Sequence, residues 1–165
     1  MGALVIRPYS VATATQHRYQ EQDSPLTLAE GLEEYYRVNA GIVSRPASLP
    51  PASAALFRSH DMCHVIFGLD TTLADETLAD TRTLLSCDVG WKVYTSYIND
   101  PLAKAVFKEL GVLRTVGVTL RSIPRIIRAW RARKRMTKKW PWVPPEGFQT
   151  RTLADLRKEF GIRVM

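Results

Sequence analysis

Apolar residues at helical spacing, bounded by clear start and stop signals, restrict the fold of this chain more than any other feature. The clearest segment opens with a Thr27-to-Glu30 capping box, just after Ser24-Pro25, and has Gly41 as its predicted stop. Between these signals, four apolar residues recur at helical spacing, namely Leu28, Leu32, Tyr35 and Tyr36. No segment alternates apolar and polar residues as a half-buried strand does. We therefore predict an all-α fold.

Similar signals divide the middle of the chain. Residues 44–53 form a predicted Pro-rich loop, which leads into a helix that ends near Gly68. Thr71 or Thr72 is expected to cap the next helix, which should run towards Tyr97. Only a short turn would then separate these two helices.

The C-terminal half should contain three more helical segments. Two are predicted at about 101–110 and 112–136, with Pro124 as a kink or boundary. Residues 139–150 are too rich in Pro and Trp for regular structure, and 152–162 should close the chain as a short helix.

Length and composition indicate one globular domain. We predict a single-domain irregular bundle of about six to seven helices over residues 1–165, with 1–24 as an irregular or weakly helical N-terminal arm. The 45% hydrophobic and 24% charged content excludes global disorder. Cys63 and Cys87 do not make a disulfide framework, so we interpret them as reduced thiols of a cytoplasmic protein. No apolar run approaches the roughly 20 residues that span a bilayer.

The net charge of +7 is unevenly distributed. Residues 111–145 contain ten Lys and Arg and no acidic residue, whereas residues 60–88 contain six acidic residues and one base. The first segment should attract anions such as a lipid surface, and the second should attract cations such as a metal ion.

A pair of histidines lies in the acidic segment. On a helix, His64 lies about 40° round from His60 and Asp61 about 100° round, so the three side chains project from one wedge. After the short turn, an antiparallel helix would bring Glu76 back towards them. Two imidazoles and two carboxylates suit Zn²⁺, with Fe²⁺ or Mg²⁺ as alternatives. The competing interpretation is an ordinary polar helix face, and the spacing alone does not separate the two.

The stretch "HDMCHVIFGLDTTLADE", residues 60–76, resembles the signature of the coenzyme Q biosynthesis protein four family. That signature is His-Asp-x-x-His, eleven residues, then Glu, and His60, Asp61, His64 and Glu76 occupy its four positions. "HVIFG" and the closing "LADLRKEFGI" add weaker similarity, so the resemblance covers about residues 25–163. Members usually carry Gly immediately before the Glu, where this chain has Asp75.

The resemblance implies a helical protein at the periphery of a membrane that acts in ubiquinone biosynthesis. It implies a divalent metal, most readily Zn²⁺, with four ligands: His60, Asp61, His64 and Glu76. These four residues would contribute to catalysis by holding the metal. It implies binding of a polyprenyl quinone precursor and oxidative removal of the carboxylate at ring carbon C1, with hydroxylation there. Asp75 is not part of that signature, and we consider it only a candidate for supporting the ligands from outside the metal's coordination sphere.

The basic segment is the candidate membrane-facing part. Ile123, Ile126, Ile127 and Trp130 can share one helix face, and Lys and Arg surround them. We predict peripheral association with an anionic membrane at its inner face. The alternative is a solvated basic helix whose apolar side packs on the core. Nucleic acid is not expected, because no recognised module accompanies the bases.

Two function classes follow. The first is a metal-dependent enzyme that oxidatively decarboxylates a ubiquinone precursor. The second is a non-catalytic isoprenoid-lipid-binding or scaffold protein that organises other quinone-biosynthesis proteins, with a structural or head-group-binding metal. A homodimer is compatible with both. A His-Asp phosphohydrolase is disfavoured, because only His17 remains as a further histidine.

Overall fold

The computed structural model describes residues 16–43, 45–101, 103–104 and 112–165. Within these ranges it confirms the all-α prediction, with six helices and no strands. The helices are α1 (Leu28–Val38), α2 (Pro51–Phe67), α3 (Leu73–Ser86), α4 (Trp91–Asn99), α5 (Val112–Arg133) and α6 (Leu153–Phe160). Three short 3₁₀ helices cover Arg18–Gln20, Pro46–Ser48 and Glu146–Phe148. Most of the helix predicted at 101–110 lies outside the described residues.

Helix α1 begins at the predicted capping box. The Thr27 side chain accepts a hydrogen bond from the Glu30 N–H, and the Glu30 carboxylate accepts one from the Thr27 N–H at 2.8 Å. The helix ends at Val38, and Gly41 follows with a φ of 87°. Its buried face includes Tyr35 and Tyr36, which both reach towards α2.

Helix α2 is longer than expected and enters the core. It begins at Pro51, inside the predicted loop, because Pro is well suited to the first position of a helix. It ends at Gly68, whose left-handed φ of 70° allows its N–H to bond back to the last turn. All residues of α2 from Ser59 to Phe67 are buried, so the histidine pair lies in the interior.

The prediction that one helix runs from Thr72 to Tyr97 is wrong. Helix α3 ends at Ser86, and α4 begins only at Trp91. Between them the backbone is extended and pairs with a distant segment: Trp140 donates its N–H to the Ser86 carbonyl at 2.8 Å, and Asp88 donates to the Trp140 carbonyl at 3.0 Å. This contact across the fold replaces the helical hydrogen bonds that would have continued α3.

Helix α5 packs along α3, and its buried residues include the small Ser122 and Ala129. Pro124 lies inside α5 and does not end it. A proline inside a helix typically costs about 3 kcal/mol, and packing against α3 offsets this cost. Helix α6 confirms the predicted closing helix, with Gly161 as its left-handed C-cap.

The described part of the N-terminal arm is attached to the core. Tyr19 is fully buried and its hydroxyl donates to the Leu69 carbonyl at 3.1 Å. The buried guanidinium of Arg157 donates to the carbonyls of Tyr19, Glu21, Val65 and Ile66. One α6 side chain thus joins the end of α2 to residues 19–21. The rest of the arm, residues 1–15, lies outside the described residues.

In the part of the chain that the structure describes, no helix combines the length and apolar character needed to cross a bilayer.

Candidate metal centre and outer basic helix

Three side chains of the predicted site converge between α2 and α3. The Nε2 atoms of His60 and His64 lie 3.1 Å apart, and each lies 3.4 Å from Oε2 of Glu76. One ligand atom from each of the three residues lies within 4.8 Å of the other two. Glu76 therefore faces the histidine pair, as the sequence predicts.

The turn between the two helices creates this convergence. Gly68 ends α2 in the left-handed conformation, and the Leu69 N–H donates to the His64 carbonyl at 2.8 Å. Thr72 then caps α3, and its side chain accepts from the Asp75 N–H at 3.2 Å. Glu76 is the fourth residue of α3, so its carboxylate returns to the level of the histidines.

His64 is held in one orientation by two neighbours. Its Nδ1 lies 3.0 Å from the carbonyl oxygen of Asp70. A carbonyl only accepts hydrogen bonds, so Nδ1 carries a proton and Nε2 is the ring nitrogen that faces the centre of the site. The ring also stacks on Tyr35, with the centroids 5.3 Å apart. This is the tautomer that a metal-ligating histidine requires.

His60 lies against an aromatic wall. Its ring stacks on Tyr97 of α4 at 4.7 Å and meets the His64 ring edge-on at 4.8 Å. Phe57 packs against the other edge of Tyr97. Nδ1 of His60 is buried and has no hydrogen-bond partner among the described residues. The surroundings of His60 therefore combine aromatic rings with an unpaired polar atom.

Asp61 is buried next to the site but does not join the three converging side chains. The Tyr36 hydroxyl donates to its Oδ2 at 2.9 Å. Burial raises the pKa of Asp61 to about 6, against the opposing influence of His60 and the hydrogen bond from Tyr36. The structure thus brings together three of the four predicted ligands. The fourth, Asp61, is hydrogen-bonded to Tyr36 of α1 instead.

Asp75 also points away from the three side chains. Its carboxylate contacts Arg125 of α5 and the backbone N–H of Asp70. Cys63 is fully buried, as its position opposite the histidines predicted, and its Sγ lies 3.6 Å from Sγ of Cys87. Both cysteines are free thiols in the structure.

Asp80 is a further buried carboxylate that the sequence motif does not include. It lies four residues after Glu76, the same spacing as His60 and His64, so both α3 carboxylates share a face. Its Oδ1 is buried without a hydrogen-bond partner among the described residues. Burial raises the pKa of Asp80 to about 6, although the nearby His60 opposes this shift. The repeated i, i+4 spacing on α3 was the signal that could have identified it.

The protonation state of the three converging groups is strongly perturbed. Burial opposes a charge on His60, but the hydrogen bond and negative charge of Glu76 outweigh it and raise the pKa to about 9. The pKa of His64 is also raised, since Glu76 again outweighs burial. For Glu76, the two histidines outweigh burial and hold the pKa well below its usual range. These shifts favour protonated histidines beside an ionised Glu76 when no cation is bound.

The donor set fits a divalent metal ion. Two imidazole nitrogens and a carboxylate oxygen meet at one point, and the nitrogen-rich set suits Zn²⁺ or Fe²⁺ better than Mg²⁺ or Ca²⁺. Asp80, whose carboxylate has an unpartnered buried oxygen, interacts electrostatically with His60 and Glu76. Binding of a cation would displace the protons that give the histidines their charge and leave each histidine neutral.

A second feature lies on the outer side of α5. Leu120, Ile123, Ile127 and Trp130, hereafter the outer stripe, are each between 43% and 61% exposed. Their spacing of three, four and three residues places them on one helix face. Ile126, which the sequence placed on the same face, packs instead against the core. Exposed bases surround the stripe, and Nζ of Lys134 lies 3.7 Å from the centroid of the Trp130 ring.

Comparison with known proteins adds no relative. No family model matches the chain, and neither the curated proteins nor the solved structures contain a match.

Proposed function

We propose that this protein is a metal-dependent enzyme of ubiquinone biosynthesis that acts on a polyprenylated benzoate-type ring at a membrane surface. The observation that carries the proposal is the convergence of His60, His64 and Glu76 within 4.8 Å, at the positions where the resembled signature has its metal ligands. A chance pair of polar helix faces would not need to bury both imidazoles with their Nε2 atoms directed at one carboxylate.

The three side chains would hold a divalent ion. Asp61 and Asp80 interact electrostatically with His60, so their negative charge would favour a cation there. When bound, such an ion supplies a Lewis acid that attracts a carboxylate or phenolate oxygen of the substrate. His64 is kept in the ligating tautomer by the Asp70 carbonyl. The stacked ring of Tyr97 gives His60 an apolar neighbour against which an aromatic substrate ring can lie.

The proposed reaction replaces the ring C1 carboxyl with a hydroxyl. The bond between C1 and the carboxyl carbon breaks, carbon dioxide leaves, and a C1–oxygen bond forms. Dioxygen is the proposed oxidant: one aryl carboxylic acid, one water and one dioxygen molecule give one phenol, one carbon dioxide and one hydrogen peroxide. The ring is oxidised by two electrons, and dioxygen is reduced by the same two electrons.

The outer stripe supports a membrane-surface location for this chemistry. A polyprenyl tail partitions into a bilayer, so an enzyme acting on its head group benefits from lying at the interface. Four exposed apolar side chains flanked by cations are typical of an interfacial helix. Each base near an anionic leaflet contributes about 1 kcal/mol. A homodimer would also cover the stripe, but it would bring two sets of bases together.

Replacement of His64 tests the proposal. In cells whose quinone synthesis depends on this protein, we expect His64→Ala to lose the metal and to accumulate the precursor that still carries its carboxyl group. His17→Ala is the matched control, since His17 lies in the described part of the chain outside the site. The measurements are metal content by elemental analysis and quinones by mass spectrometry.

The outcome also separates the two function classes. If His64→Ala loses the metal but sustains full quinone synthesis, the catalytic interpretation fails. The scaffold interpretation would then be favoured, with the outer stripe as its lipid-binding element.

A further inference from the structure

Asp75 occupies the position at which this chain departs from the resembled signature, and it has two partners. Its Oδ1 lies 2.5 Å from Nη2 of Arg125, and its Oδ2 accepts a hydrogen bond from the Asp70 N–H at 3.2 Å. The Asp75 side chain is only 13% exposed and that of Arg125 is 37% exposed. This ion pair connects α5 to the turn between α2 and α3.

The same turn orients a metal ligand. The Asp70 carbonyl accepts from Nδ1 of His64 at 3.0 Å, and the Asp70 N–H is the group that Asp75 holds. On the other side of the turn, the Thr71 hydroxyl donates to Oδ1 of Asn39 at 2.8 Å. A continuous series of polar contacts therefore runs from Arg125 through Asp75 and Asp70 to His64.

We propose that Asp75 and Arg125 form a positioning pair for the metal ligand His64. The inference rests on the proposed metal site and adds a part that the four-residue signature does not contain. Arg125 holds the Asp75 carboxylate, and the carboxylate fixes the Asp70 N–H. The carbonyl on the other side of the Asp70 Cα then keeps Nε2 of His64 directed at the centre. Arg125 belongs to α5, so the pair also joins the metal centre to the helix that carries the outer stripe.

A different explanation would be that Asp75 acts only through its charge. The two explanations predict opposite changes in cation affinity for Arg125→Met. If charge alone matters, Asp75→Ala weakens cation binding and Arg125→Met strengthens it, because an unpaired carboxylate attracts the ion more strongly. If the pair positions His64, both substitutions weaken binding, and their effects in the double variant are not additive.

The experiment measures Co²⁺ and Zn²⁺ affinity of the purified full chain by titration, with the visible absorption of bound Co²⁺ as a report on ligand geometry. We expect Asp75→Ala and Arg125→Met each to lower affinity roughly tenfold, the usual scale for residues that orient a ligand. The Co²⁺ spectrum should change in both. Arg125→Lys should restore part of the affinity, and Arg128→Met, an exposed residue of the same helix, should leave affinity and spectrum unchanged.

The outcomes separate this inference from the proposed function. If the wild-type chain binds neither ion, the metal site itself fails. If the wild-type chain binds but Asp75→Ala and Arg125→Met retain its affinity and spectrum, only the positioning role fails. A rise in affinity for Arg125→Met would also overturn it. If Asp75→Ala does not fold, the half-exposed Arg125 variants still decide the question.

Discussion

The charge of His60 in the metal-free protein should make stability depend on pH in a way that Glu76 controls. The pKa of His60 is raised to about 9 from its usual 6.5, against burial, by the hydrogen bond and charge of Glu76. At 1.36 kcal/mol per pKa unit, this shift corresponds to about 3 kcal/mol of folding free energy. Because the folded-state pKa is raised, the contribution is fully present below pH 6.5 and is lost as pH rises through about 9.

Glu76→Gln removes the charge while keeping the size of the side chain. In chelator-treated protein, urea unfolding should show the variant less stable than wild type by at least about 3 kcal/mol at pH 6, because Glu76 raises the pKa of His64 as well as that of His60. The difference should be clearly smaller at pH 10, because His60 loses its charge in the wild type as pH rises through about 9. Groups that do not interact with Glu76 affect both proteins alike. A difference of the same size at both pH values would refute the reasoning.

Three further predictions concern the metal, the outer helix and the core. Zn²⁺ binding at pH 7 should release at least about one proton, since His60 must lose its charge, and calorimetry in buffers of different ionisation heat measures the number. A triple variant that combines Arg131→Gln, Lys134→Gln and Arg135→Gln should bind anionic vesicles about a hundredfold more weakly in flotation, since each base contributes about 1 kcal/mol. Unchanged affinity, or equal binding of the wild type to neutral vesicles, would contradict this. Arg157→Met should lower the free energy of unfolding by about 3 kcal/mol or more, because several buried carbonyls lose their donor. A loss below about 1 kcal/mol in urea unfolding would argue against a stabilising role for these hydrogen bonds.

Features set by local chemistry were predictable from the sequence. The Thr27 capping box, the left-handed Gly68 and the Thr72 cap depend on residues within four positions of one another. The return of Glu76 towards His64 followed from the shortness of the turn between two such signals. The core of the candidate site is therefore encoded in one short stretch of chain.

Features set by distant contacts were not predictable. The end of α3 depends on the backbone of Trp140, which lies far along the chain from Ser86. The orientation of Asp61 depends on the Tyr36 hydroxyl from another helix. Helical spacing alone could not show that Ile126 faces the core, because that depends on which side of α5 packs on α3.

X-ray absorption at the zinc edge of the Zn²⁺-loaded protein tests the central claim most directly. The account predicts one tightly bound ion per chain, with the scattering pattern of two imidazoles at about 2.0–2.1 Å and oxygen ligands completing the shell. An ion surrounded only by oxygen, or the absence of stoichiometric binding, would contradict the claim that His60, His64 and Glu76 form a metal site.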